Sequence, residues 1–211
     1  MDDLLKKTLI AAIIVVIIYL ALFLFFDRAI DLWVYDTCSD TGLVQWGTAV
    51  STAATGEYIK LLIAGGLLLV IIIDPGLKRR WIRNLLFICV SCSIALIVGE
   101  GFKFLIGRHR PVMLFDHNQY GLTFFATEWA QNSSPSGHTL RAFSVLTALS
   151  LLFRRFTPLF ISIAILIGAS RVVVTAHYPS DVLFGAFIGI FSSLWTYRYF
   201  YGVKIFRDRN M

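Results

Sequence analysis

Residues 8–26, TLIAAIIVVIIYLALFLFF, form an almost unbroken run of 19 apolar residues. As an α-helix rising 1.5 Å per residue, this run extends about 28 Å, enough to cross the hydrocarbon core of a bilayer. The whole chain has the same character, because 57% of its 211 residues are hydrophobic and its mean hydropathy is +0.74. Soluble domains contain roughly 45–50% apolar residues. The sequence therefore predicts an integral membrane protein.

The first apolar run follows Lys6 and Lys7, as the apolar core of a secretory signal peptide does. No small-x-small cleavage site follows the run, and the run is longer than the core of a typical signal peptide. We therefore expect a retained first span with its N-terminus in the cytoplasm.

Further apolar segments follow, separated by turn residues and basic clusters. Asp74-Pro75-Gly76 is a clear turn signal, and it is followed at once by several arginines. We predict an all-α domain over residues 1–211, a single membrane-embedded bundle of six transmembrane helices. The predicted spans are residues 8–26, 58–73, 84–106, 138–153, 158–176 and 179–200, and a short helix at 44–55 is expected in the membrane interface.

The basic residues predict how this bundle is oriented. Most of the 19 lysines and arginines fall on one side of the six-span arrangement, which places both termini in the cytoplasm. They recur in short clusters and form no single patch, so the net charge of +6 does not indicate a nucleic-acid partner. The basic residues on the opposite side are Arg28, Lys60, Lys103, Arg108, Arg110, Arg141 and Arg171.

The three cysteines give no sign of a metal site. Cys89 and Cys92 form a lone C-x-x-C inside an apolar run, and Cys38 has no obvious partner. A structural zinc site needs four ligands, so we interpret Cys89 and Cys92 as small packing residues.

Ionisable residues gather at the non-cytoplasmic ends of the later spans. Such groups are costly in hydrocarbon, so their clustering indicates a functional site. They fall in three segments: Lys103-x6-Arg110-Pro111, Pro135-Ser136-Gly137-His138, and Ser170-Arg171-x5-His177-x3-Asp181.

These segments suit the chemistry of phosphoryl transfer. Its transition state spreads negative charge over oxygens, and Lys103, Arg110 and Arg171 supply fixed positive charge. No carboxylate cluster suited to a divalent ion is evident, so we predict a site that needs neither metal nor cofactor. Ser136 is a plausible N-cap, and Gly137 lets the backbone of a helix N-terminus approach an anion.

Two histidines have distinct predicted roles at this site. His177 is the candidate nucleophile, which attacks phosphorus to form a phosphohistidine. Asp181 is expected to accept a hydrogen bond from the other ring nitrogen of His177 and so fix its tautomer. His138 is expected to protonate the leaving oxygen and then to activate water.

The three segments resemble the signature of the type 2 phosphatidic acid phosphatase family, which also includes the vanadium haloperoxidases. Every fixed residue of the signature is present in order, and the six-span layout is similar to that of the membrane-bound branch. One departure is Ser134, where the family often has a bulky aromatic residue. The resemblance implies a catalytic triad of His177, His138 and Asp181, with phosphate held by Lys103, Arg110, Ser136, Gly137 and Arg171.

These observations predict an enzyme that hydrolyses a lipid phosphate or diphosphate at the outer, periplasmic face of the cell inner membrane. Candidate substrates are undecaprenyl diphosphate, phosphatidylglycerophosphate, phosphatidic acid and lipid A phosphates. One alternative is a lipid phosphotransferase that uses the same residues, and another is a lipid-binding or lipid-translocating protein. A soluble haloperoxidase does not fit so apolar a chain, and no obligate protein partner is evident.

Several neighbouring residues allow more than one interpretation. Glu100 lies one helical turn before Lys103 and is expected to pair with it. Arg108 and Arg141 either contact substrate or form structural pairs. The spacing of Gly185 and Gly189 is typical of close helix packing. Phe124, Phe125 and Trp129 form either a lid over the lipid or an anchor in the membrane interface.

Overall fold

The computed structural model describes residues 2–52 and 55–202, and this part of the chain contains helices and loops but no β-strand. The basic tail residues Lys204, Arg207 and Arg209 lie outside the described residues. The α-helices are α1 (Asp3–Ala21), α2 (Asp27–Cys38), α3 (Gly42–Thr52), α4 (Gly56–Ile73), α5 (Arg80–Ile106), α6 (Pro111–His117), α7 (Gly137–Leu152), α8 (Thr157–Val173) and α9 (Pro179–Tyr201).

The first helix does not end where the apolar run ends. A π-helical turn at Leu22–Phe26 joins α1 to α2, and the helical stretch Asp3–Cys38 is 36 residues long. The sequence predicted that the span ends at Phe26 and that a polar connection follows. The helix continues because Asp27 and Asp31 point into the protein, where both side chains are fully buried, rather than into water.

Four helical stretches within the described residues are long and apolar enough to cross a membrane. They are Asp3–Cys38, Gly42–Ile73, Arg80–Ile106 and Arg154–Val173, although residues 53–54 of the second lie outside the described part. Large apolar side chains such as Ile13 and Ile97 remain exposed on these helices, as lipid-facing residues do.

Helices α7 and α9 coincide closely with the predicted spans 138–153 and 179–200, but they are not among these four stretches, and both carry polar residues. They pack against each other and against α5 and α8, so the polar residues find partners inside the bundle. For example, the Ser193 hydroxyl donates to the carbonyl oxygen of Ser144 at 2.7 Å.

Glycines allow α7 and α9 to approach each other very closely. A Cβ atom added at Gly189 would lie 2.6 Å from the carbonyl oxygen of Leu140, and one added at Gly185 would lie 2.8 Å from that of Ser136. This confirms the predicted close packing. It also brings the start of α7 beside α9, where the amide of Ser136 donates to the carbonyl oxygen of Asp181 at 3.0 Å.

Two helix boundaries differ from the prediction, and the second of them matters for the site. Helix α5 begins at Arg80, about one turn before the predicted span. Helix α8 ends at Val173, three residues before the predicted end, and residues 174–178 form a turn. That turn carries His177 out of the helix and into the protein interior, since the side chain is only 2% exposed.

Candidate active site

The three sequence segments meet at one end of the bundle. The Arg110 Nη1 atom, in the loop after α5, lies 3.4 Å from Nε2 of His177, in the turn before α9. A Cβ atom added at Gly137, the first residue of α7, would lie 3.4 Å from Lys103 Nζ at the end of α5. Residues far apart in the sequence therefore share one site because each lies at a helix end.

His177 is held as a neutral ring with one free nitrogen. Its Nδ1 atom lies 2.8 Å from the carbonyl oxygen of Ser133. A carbonyl only accepts hydrogen bonds, so Nδ1 carries the proton and the lone pair is on Nε2. Burial, followed by the charges of Arg110 and Arg171, holds the pKa of His177 well below its usual value. The ring is therefore suited to act as a nucleophile through Nε2.

Asp181 does not contact His177 as the sequence predicted. Its Oδ2 atom is 3.9 Å from Nδ1 of His177, too far for a hydrogen bond. Instead Oδ2 accepts from the Ser133 hydroxyl at 2.6 Å and from the amide of Tyr178 at 3.1 Å. The expected direct hydrogen bond is replaced because Ser133 lies between the two side chains and contacts both.

The other Asp181 oxygen belongs to a buried ion network around Arg108. Arg108 Nη1 lies 2.6 Å from Asp181 Oδ1, and Nη2 lies 2.8 Å from Asp27 Oδ2. All three side chains are fully buried. Burial alone would lower the pKa of Arg108, but nearby negative charge, chiefly that of Asp181, raises it above the usual value. Of the two interpretations of Arg108, structural pairing is confirmed.

Aromatic rings complete the enclosure of Arg108. Its guanidinium carbon lies 4.3 Å from the centre of the Tyr178 ring and 4.9 Å from that of Phe23. Rings at these distances attract a cation through their faces. The one sequence signal for this network is the pair of acidic residues at the end of an apolar helix, and this signal does not identify their partner.

Arg110 is fixed by main-chain oxygens in a position to bind an anion. Its three guanidinium nitrogens donate to the carbonyl oxygens of Trp129 at 3.0 Å, Asn132 at 3.2 Å and Ala176 at 3.3 Å. The guanidinium also lies over the Trp129 ring at 4.4 Å. Burial lowers the pKa of Arg110 to about 10, so the group is still charged at neutral pH.

The remaining cations surround the start of α7. Lys103 Nζ lies 2.7 Å from Glu100 Oε1, which confirms the predicted pairing. A Cβ atom at Gly137 would lie 3.2 Å from Arg141 Nη1, so the glycine leaves room for that guanidinium. The Arg171 Nε atom is buried and has no hydrogen-bond partner within residues 2–52 and 55–202. Positive charge therefore concentrates where an anion would meet His177.

Ser136 occupies the predicted N-cap position, but its side chain does not cap the helix. Its hydroxyl is fully buried and accepts a hydrogen bond from the Thr139 hydroxyl at 3.0 Å. His138 lies in the first turn of α7, near enough to His177 for its charge to disfavour protonation of the His177 ring. Both predicted catalytic histidines are thus neighbours.

Other side chains near the site have structural roles. Trp129 is 65% exposed and supports Arg110 on its ring, while Phe125 packs edge-on against Phe104 of α5. All three cysteines are buried free thiols, which agrees with the interpretation of Cys89 and Cys92 as packing residues. Over the described ranges, the structure contains no group of three or more His, Cys, Asp or Glu residues arranged to hold a metal ion.

Fold and site together define an integral membrane protein with a buried histidine and a cluster of cations at one end of a helical bundle. The chain belongs to the PAP2 superfamily, whose family model matches residues 84–204.

Similar proteins include lipid phosphatases. The chain is 42% identical over 120 residues to the lipid A 1-phosphatase of Rhizobium etli, a match that covers 56% of this chain and 51% of that protein. It is 25% identical over 141 residues to the bacitracin transport permease protein BcrC of Bacillus licheniformis, covering 67% of this chain and 66% of that one. The chain thus spans about half the length of the lipid A 1-phosphatase.

Two crystal structures share the fold. The PAP2-type phosphatidylglycerolphosphate phosphatase of Bacillus subtilis superposes with a TM-score of 0.67 at 22% identity, over 95% of this chain and 99% of that one. Aquifex aeolicus LpxE superposes with a TM-score of 0.54 at 22% identity, over 74% of this chain and 86% of that one.

Proposed function

We propose that this protein is a membrane lipid phosphatase that forms a phosphohistidine on His177. The observation that carries this proposal is the state of the His177 ring, with Nδ1 occupied by the Ser133 carbonyl and Nε2 3.4 Å from Arg110. A phosphate held by Arg110 would therefore present its phosphorus to the free nitrogen of a neutral imidazole. Membership of the PAP2 superfamily supports the same chemistry.

The reaction proceeds in two half-reactions. In the first, Nε2 of His177 attacks phosphorus, the bond from phosphorus to the lipid oxygen breaks, and protonated His138 gives its proton to that oxygen. The negative charge of a bound phosphate favours the protonated form of His138 at this stage. In the second, His138 takes a proton from water, the water oxygen attacks phosphorus, and the bond to Nε2 breaks to release phosphate.

Fixed cations and the nearby carboxylate stabilise both steps. Lys103, Arg110 and Arg171 balance the charge on the transferring phosphoryl group, and the main-chain amide of Gly137, at the N-terminus of α7, adds a further donor. Asp181, 3.9 Å from His177, stabilises the positive charge of the phosphorylated ring without a hydrogen bond to it. These residues supply the electrostatic function of a metal ion, so we propose a metal-independent and cofactor-free reaction.

The relatives favour a lipid carrying a phosphate or diphosphate as substrate. We propose lipid A 1-phosphate as the first candidate, because the lipid A 1-phosphatase of Rhizobium etli is 42% identical over the matched residues. Phosphatidylglycerophosphate, undecaprenyl diphosphate and phosphatidic acid are the further candidates.

The topology we propose has six spans over a single domain, residues 1–211, with both termini in the cytoplasm. The distribution of basic residues in the sequence supports it. In this orientation the site faces the periplasm across the inner membrane, level with the headgroups of the outer leaflet. The bilayer and the lipid substrate are the only partners that the proposal requires.

Phosphate release by the purified protein tests the proposal. The protein in detergent is incubated with each candidate lipid in EDTA, beside His177→Ala and the matched control His117→Ala, whose side chain is exposed at the end of α6. We expect release from at least one lipid in EDTA, loss of release in His177→Ala, and full release in His117→Ala. A folded protein that releases no phosphate from any of these lipids contradicts the hydrolase proposal. Phosphate transfer to an added acceptor lipid would then identify a phosphotransferase.

A further inference from the structure

Ser133 uses each of its polar groups to connect the parts of the site. Its carbonyl oxygen accepts from His177 Nδ1 at 2.8 Å, and its hydroxyl donates to Asp181 Oδ2 at 2.6 Å. Its amide donates to the carbonyl oxygen of Arg108 at 3.0 Å. The residue is fully buried, so water does not compete for these contacts.

Asp181 has no direct means of orienting the His177 ring. Its Oδ1 is held by Arg108, its Oδ2 by Ser133 and the amide of Tyr178, and the closest approach to Nδ1 is 3.9 Å. The contact that decides the tautomer is made by the Ser133 carbonyl. Asp181 can influence the ring orientation through Ser133, whose hydroxyl it holds, and through the amide of Tyr178, the residue after His177.

We propose that Ser133 is the positioning residue for the nucleophilic histidine. Its carbonyl keeps the proton on Nδ1 and directs Nε2 toward the phosphate, while Asp181 and Arg108 keep that carbonyl in place. The catalytic role of Ser133 in this inference rests on the proposed function. The geometric part concerns only the tautomer and orientation of one ring, and it can be measured without a substrate.

The chain offers a matched pair of variants. Ser133→Ala removes the hydroxyl bound to Asp181 and keeps the carbonyl, which is then free to move. Ser134→Ala removes an equally buried neighbouring hydroxyl, which accepts from Tyr19 at 3.0 Å and, among the described residues, forms no hydrogen bond with His177. Both variants lose the same atom from adjacent positions, so a general effect of burial would appear in both.

Steady-state kinetics separate positioning from substrate binding. In Ser133→Ala we expect kcat to fall by up to about 100-fold, because a small misplacement of a reacting group has effects of that size. KM and competitive inhibition by inorganic phosphate should stay unchanged, since the cations that hold phosphate are intact. Ser134→Ala should retain the wild-type kcat. Equal kcat values in the two variants would overturn the proposal.

Nitrogen NMR of the ring tests the geometry directly. The chain has four histidines, so in protein labelled with ¹⁵N-histidine the His177 signals can be assigned by their loss in His177→Asn. We expect a neutral wild-type ring protonated on Nδ1, and a mixture of tautomers in Ser133→Ala. A wild-type ring protonated on Nε2 would overturn the inference, even if Ser133→Ala fails to fold.

The two proposals can fail separately. A protein that releases no phosphate but shows His177 protonated on Nδ1, with a tautomer mixture only in Ser133→Ala, would refute the hydrolase and retain the positioning role. A protein that hydrolyses lipid phosphate with His177 protonated on Nε2 would do the reverse.

Discussion

The buried network around Arg108 makes a quantitative prediction for the variant Arg108→Met. The guanidinium lies 2.8 Å from Asp27 and 2.6 Å from Asp181, and all three side chains are fully buried. Methionine fills a similar space but carries no charge, so both carboxylates lose their cation. Removing one partner of a buried ion pair costs about 3–5 kcal/mol, and one cation serves two acids here, so we expect the upper part of that range. Whole domains are stable by only about 5–15 kcal/mol.

A second substitution separates the charge effect from lost packing. In Arg108→Met/Asp27→Asn one of the two unpaired carboxylates becomes a neutral amide of nearly the same shape. We therefore expect the double variant to be more stable than Arg108→Met alone, although both are less stable than the wild type. The assay is thermal unfolding in detergent at constant pH, followed by circular dichroism.

The control for this series is Arg28→Met, because the Arg28 side chain is exposed and donates to the side-chain oxygen of Asn118 at 3.1 Å. An exposed contact of this kind contributes within about 0.5 kcal/mol. Two results would refute the reasoning: an Arg108→Met variant as stable as Arg28→Met, or a double variant no more stable than Arg108→Met.

Three further predictions concern helix packing, pH and phosphate binding. Gly189→Ala places a Cβ 2.6 Å from a main-chain oxygen, so thermal unfolding should show that the free energy of unfolding falls by about 1–3 kcal/mol. Gly65→Ala is the control, because a Cβ there has no atom within 4 Å, and it should show no such loss. The pKa of His177 is depressed, so the stability that its neutral ring contributes is fully present above the ordinary value of about 6.5 and declines only as pH falls below that value. Protonation of His177 should likewise cause no acidic limb of kcat/KM above about 6.5, and a limb there that is lost with His177 would contradict this. Arg110→Lys keeps the charge but loses the fork held by three carbonyls, so kcat/KM should fall about 100-fold; wild-type kinetics in this variant would argue against phosphate binding by Arg110.

Much of the helical layout could be predicted from the sequence, because the backbone of a membrane-crossing segment must satisfy its hydrogen bonds internally and therefore forms helices. The predicted spans 58–73 and 138–153 differ from α4 and α7 by at most two residues at either end. The grouping of His177, Arg110 and Gly137 could also be predicted, since residues at the same ends of packed helices lie near one another. Two glycines four residues apart predicted close packing of the last helix, but not that α7 is its partner.

The hydrogen bonds within the site could not be predicted in the same way. The spacing of His177 and Asp181 fits a direct contact on one helix, but α8 ends at Val173 and the turn that follows places the ring against Ser133. Differences of about an ångström decide which acceptor a ring nitrogen binds. Such differences depend on the packing of whole helices, which sequence spacing does not specify.

The pairing of Asp27 with Arg108 could not be predicted from the sequence for another reason. This pairing also changes the interpretation of the first helix. Acidic residues after an apolar run normally lie in water, and the partner of Asp27 is 81 positions away. The family match begins at residue 84, so Asp27 lies outside the matched region, yet it holds the cation that holds Asp181. Tyr19 and Phe23 also place their rings against Arg108. The continuous stretch Asp3–Cys38 therefore supports the site as well as anchoring the chain in the membrane. Without it, Arg108 would lose one of its two buried carboxylates and two of its aromatic neighbours.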